Sequence, residues 1–183
     1  MNLIETTRLL LEPLETSRLE DFVALTADPA TMRYWRPDGP LTRDAAERNF
    51  VAALARLPEL GFGRRWLVSK ATGAGLGFVD TKYFGQGWED VSPDEVELGW
   101  MLRPSAWGQG YATEAGGAIR DEAFDRLNLA SIVAAHHPEN AASGRVIEKL
   151  GLAFERDIVW RDVWPLRLYR LTRERWALRR TPS

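Results

Sequence analysis

The sequence predicts an α/β domain built on a mixed, mostly antiparallel twisted sheet of about seven strands flanked by about four helices. Three observations predict it. In Val96-Glu97-Leu98-Gly99-Trp100-Met101-Leu102 the bulky residues Val96, Leu98, Trp100 and Leu102 alternate with Glu97, Gly99 and Met101, the two-residue period of a half-buried strand. Directly downstream, Ala112, Ala115, Ile119, Ala123 and Phe124 recur at helical spacing, so residues 111–127 read as an amphipathic helix. The same two periods alternate along the whole chain in the order β-α-α-β-β-β-α-β-α-β-β, without internal repeats or low-complexity segments.

The elements follow in order. Leucines at 9, 10, 11 and 14 mark a strand over residues 8–14, and Thr16 or Ser17 can cap a helix running to 27. Asp28-Pro29 ends or breaks that helix, and Trp35-Arg36-Pro37-Asp38-Gly39-Pro40 reads as a loop. Thr42 caps a second helix whose apolar positions Ala46, Phe50, Ala53, Leu54 and Leu57 carry it to Pro58. Residues 66–68 and 76–84, separated by Ala71-Thr72-Gly73-Ala74-Gly75, form a hairpin, and a polar connection over 85–93 leads into the strand at 96–102. After the helix at 111–127 come a strand at 130–135, a helix at 139–150, strands at 152–160 and 163–171, and a short terminal helix at 172–179.

Length and composition bound the function. At 183 residues the chain fits one domain, 1–183, and 45% hydrophobic residues supply a core. A net charge of −2 gives no basic field for nucleic acid and no polybasic patch for a membrane surface. The absence of cysteine excludes disulfides, thiolate metal sites and a cysteine nucleophile. The first residues lack the basic start and apolar core of a signal peptide, and no apolar run approaches spanning length. A soluble cytoplasmic protein acting on small molecules or peptides is the expectation.

Between the strand at 96–102 and the helix at 111–127 lies Trp107-Gly108-Gln109-Gly110-Tyr111-Ala112-Thr113. The first N–H groups of a helix have no partner within it, and the peptide dipoles leave partial positive charge there. Glycines let such a backbone approach a pyrophosphate closely. An ordinary tight turn is the competing reading. The turn is neither a triphosphatase loop, since Tyr111 and Ala112 stand where Lys and Ser/Thr would be needed, nor a dinucleotide fingerprint, since Thr113 stands where glycine or alanine is required. Gly75-Leu76-Gly77 lies in a strand run with no helix after it.

A second motif, Pro138-Glu139-Asn140-Ala141-Ala142-Ser143, opens the helix whose apolar stripe is Val146, Ile147 and Leu150. Alone, Asn140 reads as an N-cap and Ser143 as a first-turn polar residue. Taken with Thr7-Arg8-Leu9-Leu10-Leu11, Glu97-Leu98-Gly99-Trp100, the glycine turn through Glu114-Ala115, Glu148-Lys149-Leu150-Gly151-Leu152 and the ending Leu171-Thr172-Arg173-Glu174-Arg175-Trp176, the chain resembles the GNAT superfamily of acyl-CoA-dependent N-acetyltransferases. The resemblance is to the branch that includes the ribosomal-protein N-terminal-alanine acetyltransferases. Trp107 stands where the broader superfamily often has Gln or Arg, and tryptophan is usual in this branch.

The resemblance implies acetyl-CoA as cosubstrate, bound in a splay between the strand holding Glu97 and the strand before Asn140. Backbone amides from Gly108 through Gln109, Gly110, Tyr111 and Ala112 to Thr113, next to Trp107, would cradle the pyrophosphate. The pantetheine arm would run along Trp100, Met101 and Leu102, with Asn140 and Ser143 on the other side. Glu97, a carboxylate in an apolar strand, is the candidate base for the acceptor amine; a solvent-facing or arginine-paired residue is the alternative. Many family members carry a tyrosine seven residues after the asparagine, but Ile147 occupies that position, which leaves Ser143 as candidate proton donor or thioester-orienting group. A backbone N–H near Met101 is the economical oxyanion donor. Without cysteine, direct attack in a ternary complex is simpler than a covalent acyl-enzyme.

The loop holding Tyr34, Trp35 and Arg36 covers the acceptor side in the resembling family, so these three are candidate acceptor contacts. The acceptor itself is a protein N-terminal amine or a small amine such as a polyamine, amino acid or aminoglycoside. A non-catalytic acyl-CoA-binding domain is the competing class, and the expected assembly is a monomer or homodimer. His136 and His137 are adjacent on a strand and point to opposite faces, so they do not share a metal, and no metal is expected. Arg64 and Arg65 read as solvated charges.

Overall fold

Strand periods in the sequence become an eight-stranded open sheet. The computed structural model describes residues 2–84, 92 and 94–180. Its strands are β1 (Ile4–Glu5), β2 (Leu9–Pro13), β3 (Arg65–Ser69), β4 (Gly75–Tyr83), β5 (Val96–Leu102), β6 (Ser131–His136), β7 (Ala153–Trp160) and β8 (Trp164–Thr172). They lie in the order β1-β2-β3-β4-β5-β6-β8-β7, and every neighbouring pair is antiparallel except β5 and β6. Among the described residues six α-helices flank the sheet: α1 (Leu19–Ala27), α2 (Pro29–Met32), α3 (Arg43–Leu60), α4 (Tyr111–Asp125), α5 (Ala141–Lys149) and α6 (Arg173–Arg180). None of the described helices is long and apolar enough to cross a membrane.

Alternation along each strand sends side chains to two cores. Leu9 and Leu11 of β2, Leu67 of β3, Val79 of β4 and Leu98 and Leu102 of β5 meet Ala115, Ile119 and Phe124 of α4 on one face. Trp66, Val68, Phe78 and Met101, from the alternate positions, meet Phe22 and Leu25 of α1 and Phe50 of α3 on the other. The Phe22 ring lies 5.5 Å from Phe50 and 5.9 Å from Phe78. Truncating one of these fully buried rings to alanine costs about 3–5 kcal/mol.

The expected sheet is present, and the structure refines its elements. It has eight strands among the described residues because a two-residue strand, β1, adds to its edge at Ile4–Glu5. Asp28-Pro29 does end α1, and the Asp28 carboxylate also accepts from the Ala30 N–H at 2.7 Å and starts the four-residue α2. Thr42 does cap α3, its hydroxyl oxygen taking the Ala45 N–H at 3.3 Å, but the helix runs on past Pro58 to Leu60. β5 is covered on both faces, since Met101 is as buried as Leu98 and Leu102. The connection expected at 85–93 lies, Ser92 apart, outside the described residues.

Arg64 and Arg65 are not solvated. Arg64 grips one Asp80 oxygen through Nε and Nη2 at 3.1 and 2.7 Å, and its guanidinium lies 4.2 Å from the Phe78 ring centre. Arg65, 1% exposed, reaches Glu122 of α4 at 2.8 Å. Burial pulls its guanidinium below the usual arginine range against the opposing Glu122 charge. Both pairs are buried, so deleting either carboxylate would strand a charge, a loss of about 3–5 kcal/mol.

β5 and β6, joined through α4, run parallel and pair at a single position, Glu97 with Val133. On its other side β5 stays in register with β4 from Val96–Tyr83 to Leu102–Gly77. Beyond Glu97 the pairing between β5 and β6 ends. The sheet therefore splays toward the carboxyl ends of two neighbouring parallel strands, a usual place for a ligand in an open α/β sheet.

Candidate active site

Both motifs read from the sequence stand at the mouth of this splay. Where β5 ends, a short 3₁₀ turn at Pro104–Ala106 leads into the glycine turn, and Gly110 is the N-cap of α4. Gly108 and Gly110 have φ of 72° and 81°, left-handed values that L side chains rarely adopt. No side chain caps α4. The first intrahelical bond runs from the Glu114 N–H to the Gly110 carbonyl at 3.0 Å, leaving the N–H groups of Tyr111, Ala112 and Thr113 without an acceptor inside the helix. An uncapped start preceded by left-handed glycines presents free backbone N–H groups outward, the geometry that suits an anion.

Side chains of the turn brace it instead of blocking it. The Trp107 indole N–H donates to the Leu102 carbonyl at 2.7 Å, and the Gln109 amide donates to the Ser105 carbonyl at 2.7 Å. Half of Trp107 remains exposed beside the turn. Arg8 holds the turn from the other side. Its Nη1 donates to the Gln109 carbonyl at 2.8 Å, its guanidinium carbon lies 4.6 Å from the centre of the Tyr111 ring, and its Nη2 points toward Gly110. Glu114 fixes Arg8 in turn, accepting from the Arg8 backbone N–H at 2.7 Å, from Arg8 Nε at 2.6 Å and from the Thr6 hydroxyl at 2.6 Å. Burial works to raise the Glu114 carboxyl, but the bonds from Thr6 and Arg8 outweigh it and hold it below its ordinary value.

Across the splay, α5 starts at the end of β6. Asn140 is its N-cap, the side-chain oxygen accepting the Ser143 N–H at 3.1 Å. That bond uses the amide oxygen and leaves the NH₂ end outside the cap. Gly144 seats the first turn of α5 against His136, whose ring is buried and lies 3.4 Å from the Tyr169 hydroxyl. Burial lowers the His136 imidazole below 6.5, so the ring is neutral at pH 7.

Glu97 occupies the one position where β5 and β6 still pair, its side chain 14% exposed. The directly opposite residue on β4 is Lys82, and its ammonium lies 3.1 Å from Glu97 Oε2. The attraction of Glu97 raises the Lys82 amine above 10.5, against the burial that opposes it, so the lysine is charged throughout the neutral range. Glu97 Oε2 is buried and accepts no aligned hydrogen bond. Glu97 and Met101 occupy alternate positions of β5, on the face turned toward α1 and α3.

The acceptor candidates divide. Trp35 packs edge-on against Phe78 at 5.9 Å and, with Met101, lines a cavity of about 130 Å³ between β4, α1 and α3. Tyr34 turns instead to the end of β6, where its ring stacks on His137 at 5.5 Å, and His137 in turn lies 4.6 Å from Trp164 at the start of β8. Arg36 bonds Asp38, which Arg161 of the β7–β8 turn approaches at 3.7 Å, so the loop is tied to that hairpin. Lys82, Arg8, His137 and Trp164 were not singled out from the sequence as site residues. Only the motif around Arg8 carried a signal. Among the described residues no cluster of histidines and carboxylates is placed to hold a metal ion.

A splayed parallel strand pair, an uncapped helix start at one lip and an Asn-capped helix at the other form a cleft at the carboxyl ends of two strands of an open α/β sheet. Comparison with known proteins supplies the class. Residues 8–153 match the model of the acetyltransferase (GNAT) domain, and the chain belongs to that family. It is an acyltransferase. It is 30% identical over 156 residues to the uncharacterized N-acetyltransferase YnaD of Bacillus subtilis, a match covering 83% of each chain. The crystal structure of a GNAT-family acetyltransferase from Bacillus anthracis superposes with a TM-score of 0.77 at 26% identity, covering 94% of this chain and 99% of that one. The spermidine N-acetyltransferase of Vibrio cholerae, solved with CoA and spermine, shares the fold at 18% identity with a TM-score of 0.70, covering 94% and 99%.

Proposed function

We propose that the protein moves an acetyl group from acetyl-CoA to a primary amine by direct attack in a ternary complex. The observation that carries this reading is the pairing of β5 with β6 at Glu97–Val133 alone, between an uncapped α4 and the Asn140 cap of α5. The backbone N–H groups of Tyr111, Ala112 and Thr113 would take pyrophosphate oxygens, with Gly108, Gln109 and Gly110 shaping the cradle and Trp107 walling it. The freed edge of β5 at Trp100, Met101 and Leu102 would pair with the amides of the pantetheine arm as a missing strand would, and Asn140 would close the arm in from α5.

Transfer needs an uncharged amine, yet an α-amino group titrates at about 7.7–8.0 and a lysine at about 10.4. Glu97 is the carboxylate at the splay and takes the amine's proton, directly or through a water. The amine nitrogen then bonds the acetyl carbonyl carbon, the carbon–sulfur bond breaks, and the proton that the nitrogen loses on becoming an amide balances the one that the thiolate takes. Ser143, in the first turn of α5, faces the thiolate and donates to it or orients the sulfur. The backbone N–H near Met101 meets the developing oxyanion. Arg8 adds a positive charge beside the phosphates.

Calorimetric titration with acetyl-CoA, CoA and ATP tests the cofactor site. Binding of acetyl-CoA and CoA but not ATP is expected. Equal affinity for ATP would contradict the splay as a pantetheine site, and binding without any amine-dependent thiol release would leave a non-catalytic acyl-CoA-binding domain.

A further inference from the structure

The cavity beside the splay reports on the acceptor. It holds about 130 Å³, and its aromatic lining is Phe22, Trp35, Phe62 and Phe78. That volume is roughly what a single benzene ring fills. One ring or one branched side chain fills it.

Among the described residues Arg56, Arg64 and Lys82 line it with one carboxylate, Asp80, which Arg64 already holds. Arg56 is exposed and has no carboxylate partner among the described residues. Arg64 is paired with Asp80 and Lys82 with Glu97, which leaves Arg56 as the cation that a positively charged acceptor would meet without a carboxylate beside it.

Lys82 connects the cavity to the chemistry. It lines the cavity and lies 3.1 Å from Glu97 Oε2, a buried oxygen accepting no aligned hydrogen bond. An ammonium has three donors, so Lys82 can hold Glu97 and a second anion together. A carboxylate and an ammonium side by side are the complement of a molecule whose amine and carboxylate share one carbon. Met101, four residues further along β5 than Glu97, carries the lining on to the splayed edge.

We infer that the acceptor is a free α-amino acid with an apolar side chain. Its amine meets Glu97, its carboxylate meets the Lys82 ammonium, and its side chain fills the cavity against Trp35 and Phe78. The inference rests on the acetyl-transfer reading and narrows it. A peptide N-terminus offers an amide at the position where Lys82 requires a carboxylate.

The test is acetyl-CoA-dependent thiol release with L-phenylalanine, L-phenylalaninamide, phenethylamine and spermidine. The expected kcat/KM for the acid exceeds that for its amide by about tenfold, one charge-assisted contact, and exceeds that for spermidine by at least as much. In Lys82→Met the acid-to-amide ratio falls to about one, and Lys82→Arg restores much of it, whatever either change does to the absolute rate. Preference for the amide or for spermidine, or a ratio unchanged in Lys82→Met, overturns the inference and leaves acetyl transfer standing. Thiol release with none of the four amines overturns the inference, and absence of acetyl-CoA binding by calorimetry overturns the acetyl-transfer reading as well.

Discussion

Arg8 and Glu114 are 106 residues apart in the chain and meet at two points, the Arg8 backbone N–H at 2.7 Å and Nε at 2.6 Å. Through this pair the segment before β2 is bolted to the first turn of α4, and the remaining guanidinium edge is aimed at the glycine turn. Arg8→Ala should therefore raise the acetyl-CoA Kd by about tenfold and flatten its dependence on salt, since a partly exposed cation near a phosphate acts through screened electrostatics. Titrations at two ionic strengths check this. Equal salt slopes in the two proteins would remove Arg8 from the phosphate site.

Gly110→Ala tests the backbone shape of the cradle. With φ at 81° and the Arg8 guanidinium beside the position a Cβ would take, the alanine variant is strained by about 1–2 kcal/mol. Thermal unfolding should show that loss, together with weaker acetyl-CoA binding. An alanine variant as stable as the parent would mean that the left-handed conformation is not needed there.

Glu97→Gln should lower kcat by about 100-fold near neutral pH, the scale of one general base, while acetyl-CoA affinity stays within about threefold. It also removes the anion that keeps the Lys82 ammonium above its ordinary range. Turnover equal to the parent's would exclude Glu97 as base and leave it as a structural partner of Lys82.

His136 makes stability depend on pH. Burial holds its imidazole below 6.5, while the unfolded chain protonates at that value, so between the two the unfolded state binds more protons. Stability is full above about pH 6.5 and falls as the pH drops through the lower, folded value. Tm measured from about pH 7.5 down to about pH 5 should fall more steeply for the parent than for His136→Gln. Parallel curves would show that the ring's burial is not coupled to folding.

What the sequence revealed depended on how local the signal was. β5 and α4 were legible because each is a long run of one period, and the turn between them because left-handed positions select glycine. β1 is two residues long and α2 four, too short for any period to register. Arg64 and Arg65 resembled surface charges because Asp80 and Glu122 are 16 and 57 residues away, and only the fold brings them together. Lys82 was silent for the same reason: its meeting with Glu97 exists only in the register of β4 with β5. Asn140 was read both as N-cap and as cofactor contact, and the cap bond to Ser143 is present.

The central claim is that the splay and the glycine turn act together on one thioester. Amine-dependent thiol release measured with acetyl-CoA and with S-acetylpantetheine, which keeps the thioester and arm but lacks the pyrophosphate, tests it most directly. The account predicts a kcat/KM at least about 100-fold higher for acetyl-CoA, the worth of two charge-assisted contacts to the turn. Equal kcat/KM for the two donors would contradict it.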